Sequence, residues 1–379
     1  MTSTSQEIPD IQLPADLMPS DGRFGSGPSK VRQGALEALV AAAPGYLGTS
    51  HRHPTVRSVV GRVRAGLSEL FALPEEYEVV LGNGGAAAFW DVCTFSLIRR
   101  RSQHLVYGAF SKSFAAGVRT VPHLEEPDVI KAELGTRADV RPAPGIDAYA
   151  LIHNETSTGV AMEVRRPVGA DDGALVLVDA TSAAGGMRVD PATFDAYYFS
   201  PQKCFGSEGG LWIALCSPAA LERGEQLASD RWAPRSQSLS VAADQSRNDQ
   251  TYNTPALTTL FLMADQIEWM QGNGGLEWAV GRCEKSSDAV YRWAEASPYA
   301  MPYVKDPADR SPVVCTVEFD QTVDASQVTT VLRRNGIVDT EPYRGLGGNQ
   351  IRIAVYPGVE PDDVVTLTMA IDHIVAALY

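Results

Sequence analysis

The stretch Tyr197–Leu211, YYFSPQKCFGSEGGL, decides the fold. Tyr197-Tyr198-Phe199 predicts the end of a buried strand, and Ser200-Pro201 stops it. Gln202-Lys203 follows, so a lysine comes straight off a strand into a turn. Gly206, Gly209 and Gly210 let that turn bend sharply and let a ligand approach the backbone. Leu211–Leu215, LWIAL, predicts the next strand. A lysine held between two buried strands loses part of its hydration. Burial disfavours the ammonium form, lowers the pKa and makes the amine a candidate nucleophile.

Upstream, Ala174–Val178, ALVLV, is a continuous apolar run, the mark of a strand covered on both faces. It ends in Asp179, followed by Ala180-Thr181-Ser182-Ala183-Ala184-Gly185-Gly186. The carboxyl end of a buried strand is where open α/β sheets place ligand-binding groups. Taken singly, Lys203 could be a loop lysine and Asp179 a helix N-cap. Together with the glycines and the flanking strands they fit pyridoxal 5′-phosphate. The lysine would form the Schiff base, and the acid would keep the pyridine nitrogen protonated so that the ring can act as an electron sink.

At 379 residues the chain exceeds the usual size of one core, which predicts two domains. The net charge of −14 argues against a nucleic-acid partner but not against a small anionic substrate, which meets only local charge. The five cysteines are scattered, odd in number and without a CxxC pair, which points away from disulfides and zinc and towards a reducing cytoplasm. The first 22 residues are polar and acidic, unlike a signal peptide, and no apolar run is long enough to span a membrane.

In chain order, residues 1–22 read as an extended arm with Pro9, Pro14 and Pro19. A glycine-rich turn over Arg23–Ser29 follows, then a helix over Lys30–Ala43 that ends before Pro44-Gly45. The loop GTSHRHP (Gly48–Pro54) is dense in basic groups. Its His51 and His53 lack further metal ligands nearby, whereas Arg52 suits an anion. Helix Val56–Phe71 and strand Tyr77–Leu81 lead to Gly82-Asn83-Gly84-Gly85-Ala86-Ala87, which opens a helix over Ala86–Ile98. This matches the loose dinucleotide pattern GxGxxA. Yet Arg99, Arg100 and Arg101 stand in the region where that pattern wants an acid. Backbone amides at such a helix start bind any phosphate.

Strands at His104–Tyr107 and Tyr149–His153 continue the alternation into a mostly parallel sheet with helical cover. Phe110 lies at the end of the first. Thr254 and Pro255 predict the N-cap and first turn of a helix over Ala256–Gln271. After it come helix Leu276–Ala296, strand Val313–Phe319, helix Ala325–Asn335, a short strand near Ile337, strand Ile351–Tyr356 and helix Pro361–Leu378. That order predicts a small C-terminal α+β domain, so the division is an arm (1–22), a large domain (23–265) and a small domain (266–379).

SPQKxFGSEGGLW, VDATSAAGG, GTSHRHP, GNGGAAAFWD, HNETSTGV, QTYNTP and VDTEPYRGLGGNQIRIAVYP occur together. In them the chain resembles the phosphoserine aminotransferase family, particularly its actinobacterial form, from about Asp21 to the C-terminus. The resemblance implies a fold-type-I α/β enzyme with a seven-stranded sheet. It implies a homodimer with shared active sites, and bound pyridoxal phosphate. It implies amino transfer from L-glutamate to 3-phosphohydroxypyruvate, hence serine biosynthesis, with pyridoxine biosynthesis as a second role in some members.

By the same resemblance, Lys203 would carry the cofactor, Asp179 would pair with its ring nitrogen, and Gln202 and Thr156 would touch it. Ala86 and Ala87 would offer amides to its phosphate, Phe110 would stack on its ring, and Asn253 and Thr254 would reach the phosphate from the neighbouring subunit. His51, Arg52 and Arg352 would receive the substrate's carboxylate and phosphate, with Arg344 as a helper. The chain departs from many members in having Phe110 for Trp, Cys204 for Asn, Ala87 for Arg and Tyr343 for His. Two other functions remain open. A cysteine desulfurase-like lyase would want His at Gln202 and a mobile reactive cysteine, which neither Cys204 nor Cys315 resembles. A non-catalytic nucleotide-binding protein has only Gly82–Ala87 in its favour.

Overall fold

The computed structural model describes residues 8–379, so residues 1–7 of the expected arm lie outside it; the rest of the arm carries a 3-10 turn at Ala15–Leu17, and two helices follow, α1 (Gln33–Tyr46) and α2 (Pro54–Leu70). Strand and helix then alternate: β1 (Glu78–Asn83), α3 (Ala86–Ser96), β2 (Ser102–Val106), α4 (Ala109–Arg119), β3 (Asp128–Lys131) and β4 (Ala148–Ile152). A two-stranded ribbon, β5 (Asn154–Glu155) and β6 (Val160–Ala161), precedes β7 (Leu175–Asp179), β8 (Ala196–Phe199) and β9 (Leu211–Cys216). Helices α5 (Pro218–Asp230), α6 (Leu239–Arg247), α7 (Leu257–Gly272) and α8 (Gly275–Ala296) follow. The last elements are β10 (Ala300–Pro302), β11 (Val314–Phe319), α9 (Ala325–Arg334), β12 (Gln350–Ala354) and α10 (Pro361–Leu378).

The seven-stranded sheet has the order β1-β9-β8-β7-β4-β2-β3, and only β9 runs antiparallel to its neighbours. Strand β7 lies between β4 and β8, parallel to both, and all five of its residues are buried. That placement explains its unbroken apolar run. Four buried aliphatic side chains, each contributing about 1.5–3 kcal/mol, outweigh the several kcal/mol that the terminal Asp179 costs when desolvated. The carboxyl ends of β1, β2, β4, β7 and β8 share one edge of the sheet. The loops leaving that edge carry Ala86, Phe110, Thr156, Thr181 and Lys203.

The second sheet, β10-β11-β12, is antiparallel and packs with α8, α9 and α10 around Val317, Ile351, Ile353, Leu367 and Ile371. The N-terminal residues join it: Ile8, Ile11 and Leu13 pack on this core, and Phe24 is buried within it. Residue 265 lies inside α7, which packs on α1 and α2.

Three local expectations change. Helix α1 starts at Gln33, because the Ser29 N–H donates to the Gln202 carbonyl (2.8 Å) and the Ser29 hydroxyl to that of Lys203 (2.7 Å), which holds residues 29–30 against the lysine turn. Pro44 sits inside α1 near its end, where the missing N–H forfeits a single helical bond. Thr254 does not cap α7, whose cap is Ala256. The Asn83 amide holds the preceding segment aside, donating to the carbonyls of Asn253 (3.3 Å) and Thr254 (3.1 Å). Near Ile337 there is an isolated bridge between Arg23 and Val338 in place of a strand.

Candidate active site

Lys203 occupies the turn between β8 and β9. The Ser200 hydroxyl donates to the Leu211 carbonyl (2.7 Å) and closes that turn, while Gly206 and Gly210 take positive φ (49° and 105°). The lysine is buried, and its Nζ donates to the Ser26 carbonyl, which also accepts from the Tyr356 hydroxyl (3.0 Å). A Cβ on Gly27 would stand 2.2 Å from Nζ, so a side chain there would push the amine from its place, and the φ of 144° also favours glycine. Burial, and next the nearby Arg352 cation, lower the amine's pKa to about 8.

Asp179 ends β7 and is buried. Its Oδ1 accepts from the Thr181 N–H (2.9 Å) and hydroxyl (2.6 Å), and its Oδ2 accepts from the Trp90 indole N–H (2.8 Å). Burial pushes this carboxyl up, and these donors pull it back towards the ionised form.

Lys203 and Asp179 line one cavity of about 430 Å³. Its far wall is the start of α3, where Gly85 supplies no capping side chain and leaves the amides of Ala86 and Ala87 free for an anion. Phe110, Thr156 and Gln202 complete the lining. Gln202 Oε1 and Asn154 Oδ1, buried atoms of two lining residues, have no hydrogen-bond partner, as befits a cavity built for a polar occupant.

Phe110 is held from a distance. It lies in the first turn of α4, whose end is capped by the fully buried Glu155. That carboxylate accepts from the N–H groups of Phe110 (3.3 Å) and Ser111 (2.9 Å) and from the hydroxyls of Ser111 (2.8 Å) and Ser157 (2.6 Å). The adjoining Thr156 donates its hydroxyl to Ser182 Oγ (2.7 Å), and its carbonyl accepts from Arg352 Nη1 (2.8 Å).

Arg352, on β12, lines a second cavity of about 600 Å³ that shares Gly27 and Pro28 with the first. Its guanidinium stands over the Tyr343 ring (5.5 Å), and that ring meets Phe110 edge-on (5.5 Å). Arg352 Nε is buried without a partner. Arg344 lines this cavity too, exposed and without an ion pair among the described residues, whereas Arg333 there is paired with Asp339 (3.2 Å) and Glu341 (2.6 Å).

His51, Arg52, Asn253 and Thr254 form a separate group outside both linings. His51 Nδ1 meets the Thr254 hydroxyl at 3.1 Å, and Arg52, Asn253 and Thr254 are exposed. The structure therefore brings together Lys203, Asp179, Ala86, Ala87, Phe110, Thr156 and Gln202, sets Arg352 and Arg344 next door, and leaves the other four on the surface. Sequence reasoning missed Trp90, Asn154, Glu155 and the Ser26-Gly27 wall. Asn154 and Glu155 stand beside the expected Thr156, and that adjacency was the available signal. All five cysteines are buried and unpaired, and burial pushes the Cys204 thiol up, which disfavours a reactive-cysteine lyase.

The profile of the family "Aminotransferase class-V" matches residues 138–340. A phosphoserine aminotransferase of Nocardioides sp. is 57% identical over 367 residues, covering 96% of this chain and 98% of that protein. Another, of Rhodococcus jostii, is 54% identical over 367 residues, covering 97% and 98%. The crystal structure of a phosphoserine aminotransferase from Cytophaga hutchinsonii shares the fold with a TM-score of 0.85 at 23% identity, over 93% of this chain and 99% of that one.

Proposed function

The chain belongs to the class-V aminotransferases, and on that premise we propose that it transfers the amino group of L-glutamate to 3-phosphohydroxypyruvate, giving O-phospho-L-serine and 2-oxoglutarate. One observation carries the reading beyond the likeness to relatives. The amine of Lys203 and the carboxylate of Asp179, both buried, face one cavity closed by the free amides of α3.

The donor set fits pyridoxal 5′-phosphate, which when bound supplies an electron sink for the substrate's α-carbon. Lys203 Nζ would attach it, Asp179 would hold its ring nitrogen protonated, and Ala86 and Ala87 would bind its phosphate. Phe110 would cover one ring face, and the unpartnered side-chain oxygens of Gln202 and Asn154, with Thr156, would take its remaining polar atoms. Lys203 Nζ would take the proton from the substrate α-carbon and deliver it to the carbon that had been the cofactor's aldehyde, a task suited to an amine whose pKa has fallen to about 8. The Ser26 carbonyl and Tyr356 hydroxyl orient that amine. Arg352, already half fixed by the Thr156 carbonyl, takes the α-carboxylate common to every substrate.

The group of half-buried His51 with exposed Arg52, Asn253 and Thr254 lines neither cavity of its own chain. In a homodimer it would reach the partner's site, with Asn253 and Thr254 at the cofactor phosphate and His51, Arg52 and the free Arg344 at the substrate phosphate. No helix among the described residues is long and apolar enough to cross a membrane, and the five buried thiols suit a cytoplasmic enzyme. Borohydride reduction of the purified protein followed by peptide mass mapping should place a pyridoxyl group on Lys203; finding it on another lysine would sink the assignment.

A further inference from the structure

Trp90 has no role in the reading above, yet its indole N–H is the one donor to Asp179 Oδ2 among the described residues, at 2.8 Å. The other oxygen is served by Thr181. The indole is not free to turn away. It stacks on Phe114 at 5.4 Å and 14°, and Phe114 packs edge-on to the buried His104 at 4.8 Å. Trp90 also sits one turn along α3 from Ala86 and Ala87, and it lines the same cavity. One helix thus presents its first amides to the cavity and, one turn further on, a fixed N–H to the acid.

We propose that Trp90 is a positioning residue for Asp179: its neutral N–H aims Oδ2 and favours the carboxylate form, so that the full anionic charge is left for the cofactor's ring nitrogen. The choice of donor follows from charge. An arginine or lysine in this place would hold the acid ionised, but it would also cancel the charge on which a protonated ring nitrogen depends. An indole donates one hydrogen bond, carries no charge and accepts nothing. Burial alone would drive Asp179 towards its neutral form. The inference rests on the reading that Asp179 meets the ring nitrogen.

The test compares holoenzymes loaded with ring-¹⁵N pyridoxal phosphate: the parent, Asp179→Asn, Trp90→Phe, and a protein with benzothienylalanine at position 90, which keeps the shape of the indole and lacks only the N–H. Both position-90 variants should move the ring nitrogen resonance towards its unprotonated position. They should lower kcat by about ten-fold, the effect of one lost hydrogen bond to a buried charge, and leave KM for glutamate within about two-fold. Asp179→Asn should move the resonance further in the same direction. If Asp179→Asn shifts it while the benzothienylalanine protein keeps the parent resonance and kcat, Trp90 is only packing and the proposal falls. If Asp179→Asn itself leaves the resonance in place, the assignment of Asp179 falls, and the role of Trp90 with it.

Discussion

Arg352 and Arg52 carry the same cation in opposite settings. Arg352 is tied to the Thr156 carbonyl (2.8 Å), lies over Tyr343 and faces a cavity of its own chain. Arg52 is exposed on a loop, and no side-chain or carbonyl partner holds its guanidinium among the described residues. The orientation of the first is settled before any ligand arrives; that of the second is left to whatever approaches the surface. A fixed cation suits a group that every substrate shares, and an unfixed one suits a group that distinguishes them.

The largest test removes the interior's charge rather than an arginine. Asp179→Asn should keep the fold and the cofactor yet lower turnover on the order of 10², since an amide cannot hold a protonated nitrogen. Near-normal turnover would show that the buried acid only closes the Thr181 turn. Next, Arg352→Gln should slow both half-reactions alike, by about ten- to hundred-fold, the effect of losing a charge-assisted pair to a buried anion. Single-turnover rates that fall for one substrate alone would erase the distinction between the arginines.

Arg52→Ala should lower the rate with the phosphorylated keto acid by at most about ten-fold and with glutamate by less, because the dianion loses more and exposure weakens the contact. Unchanged rates for both would remove the loop from the site. Mixing Lys203→Ala subunits with Asn253→Ala/Thr254→Ala subunits should restore about a quarter of the activity, because half the dimers would hold one whole site. Mixed dimers that stay inactive would exclude sharing. The smallest effect concerns pH. Capture of the cofactor aldehyde by apoenzyme needs a neutral amine, so its rate should rise with pH through a midpoint near about 8. Arg352 helps to push that pKa down, so Arg352→Gln should move the midpoint up.

The sheet and the Lys203–Asp179 pair were legible because each depends on neighbours in the chain: an apolar run for β7, glycines for the turn. What escaped depends on residues far away. Helix α4 starts where it does because of Glu155, which lies 44 residues from Ser111. Trp90 and Asp179 are 89 residues apart. Phe110 was found as an aromatic at a strand end, but the helix holding it was not, since its cap comes from another loop. Thr254 has a capping side chain before a proline, yet Asn83 at long range outweighs that local preference.

The segment from Ser20 to Ser29 has a consequence for the order in which the protein is finished. Ser20 bonds to Asp363, 343 residues later, and the Ser26 carbonyl accepts from Tyr356, 330 residues later. At ~10 residues per second a ribosome needs about half a minute to travel that distance. The wall beside the lysine amine is therefore among the first parts synthesised, and its contacts with Asp363 and Tyr356 wait for the C-terminal residues. Phe24 enters a core built from residues 290–375, all synthesised long after it. A nascent chain with a complete seven-stranded sheet already holds the Ser26 carbonyl that accepts from Nζ, but not the Tyr356 hydroxyl that donates to the same oxygen.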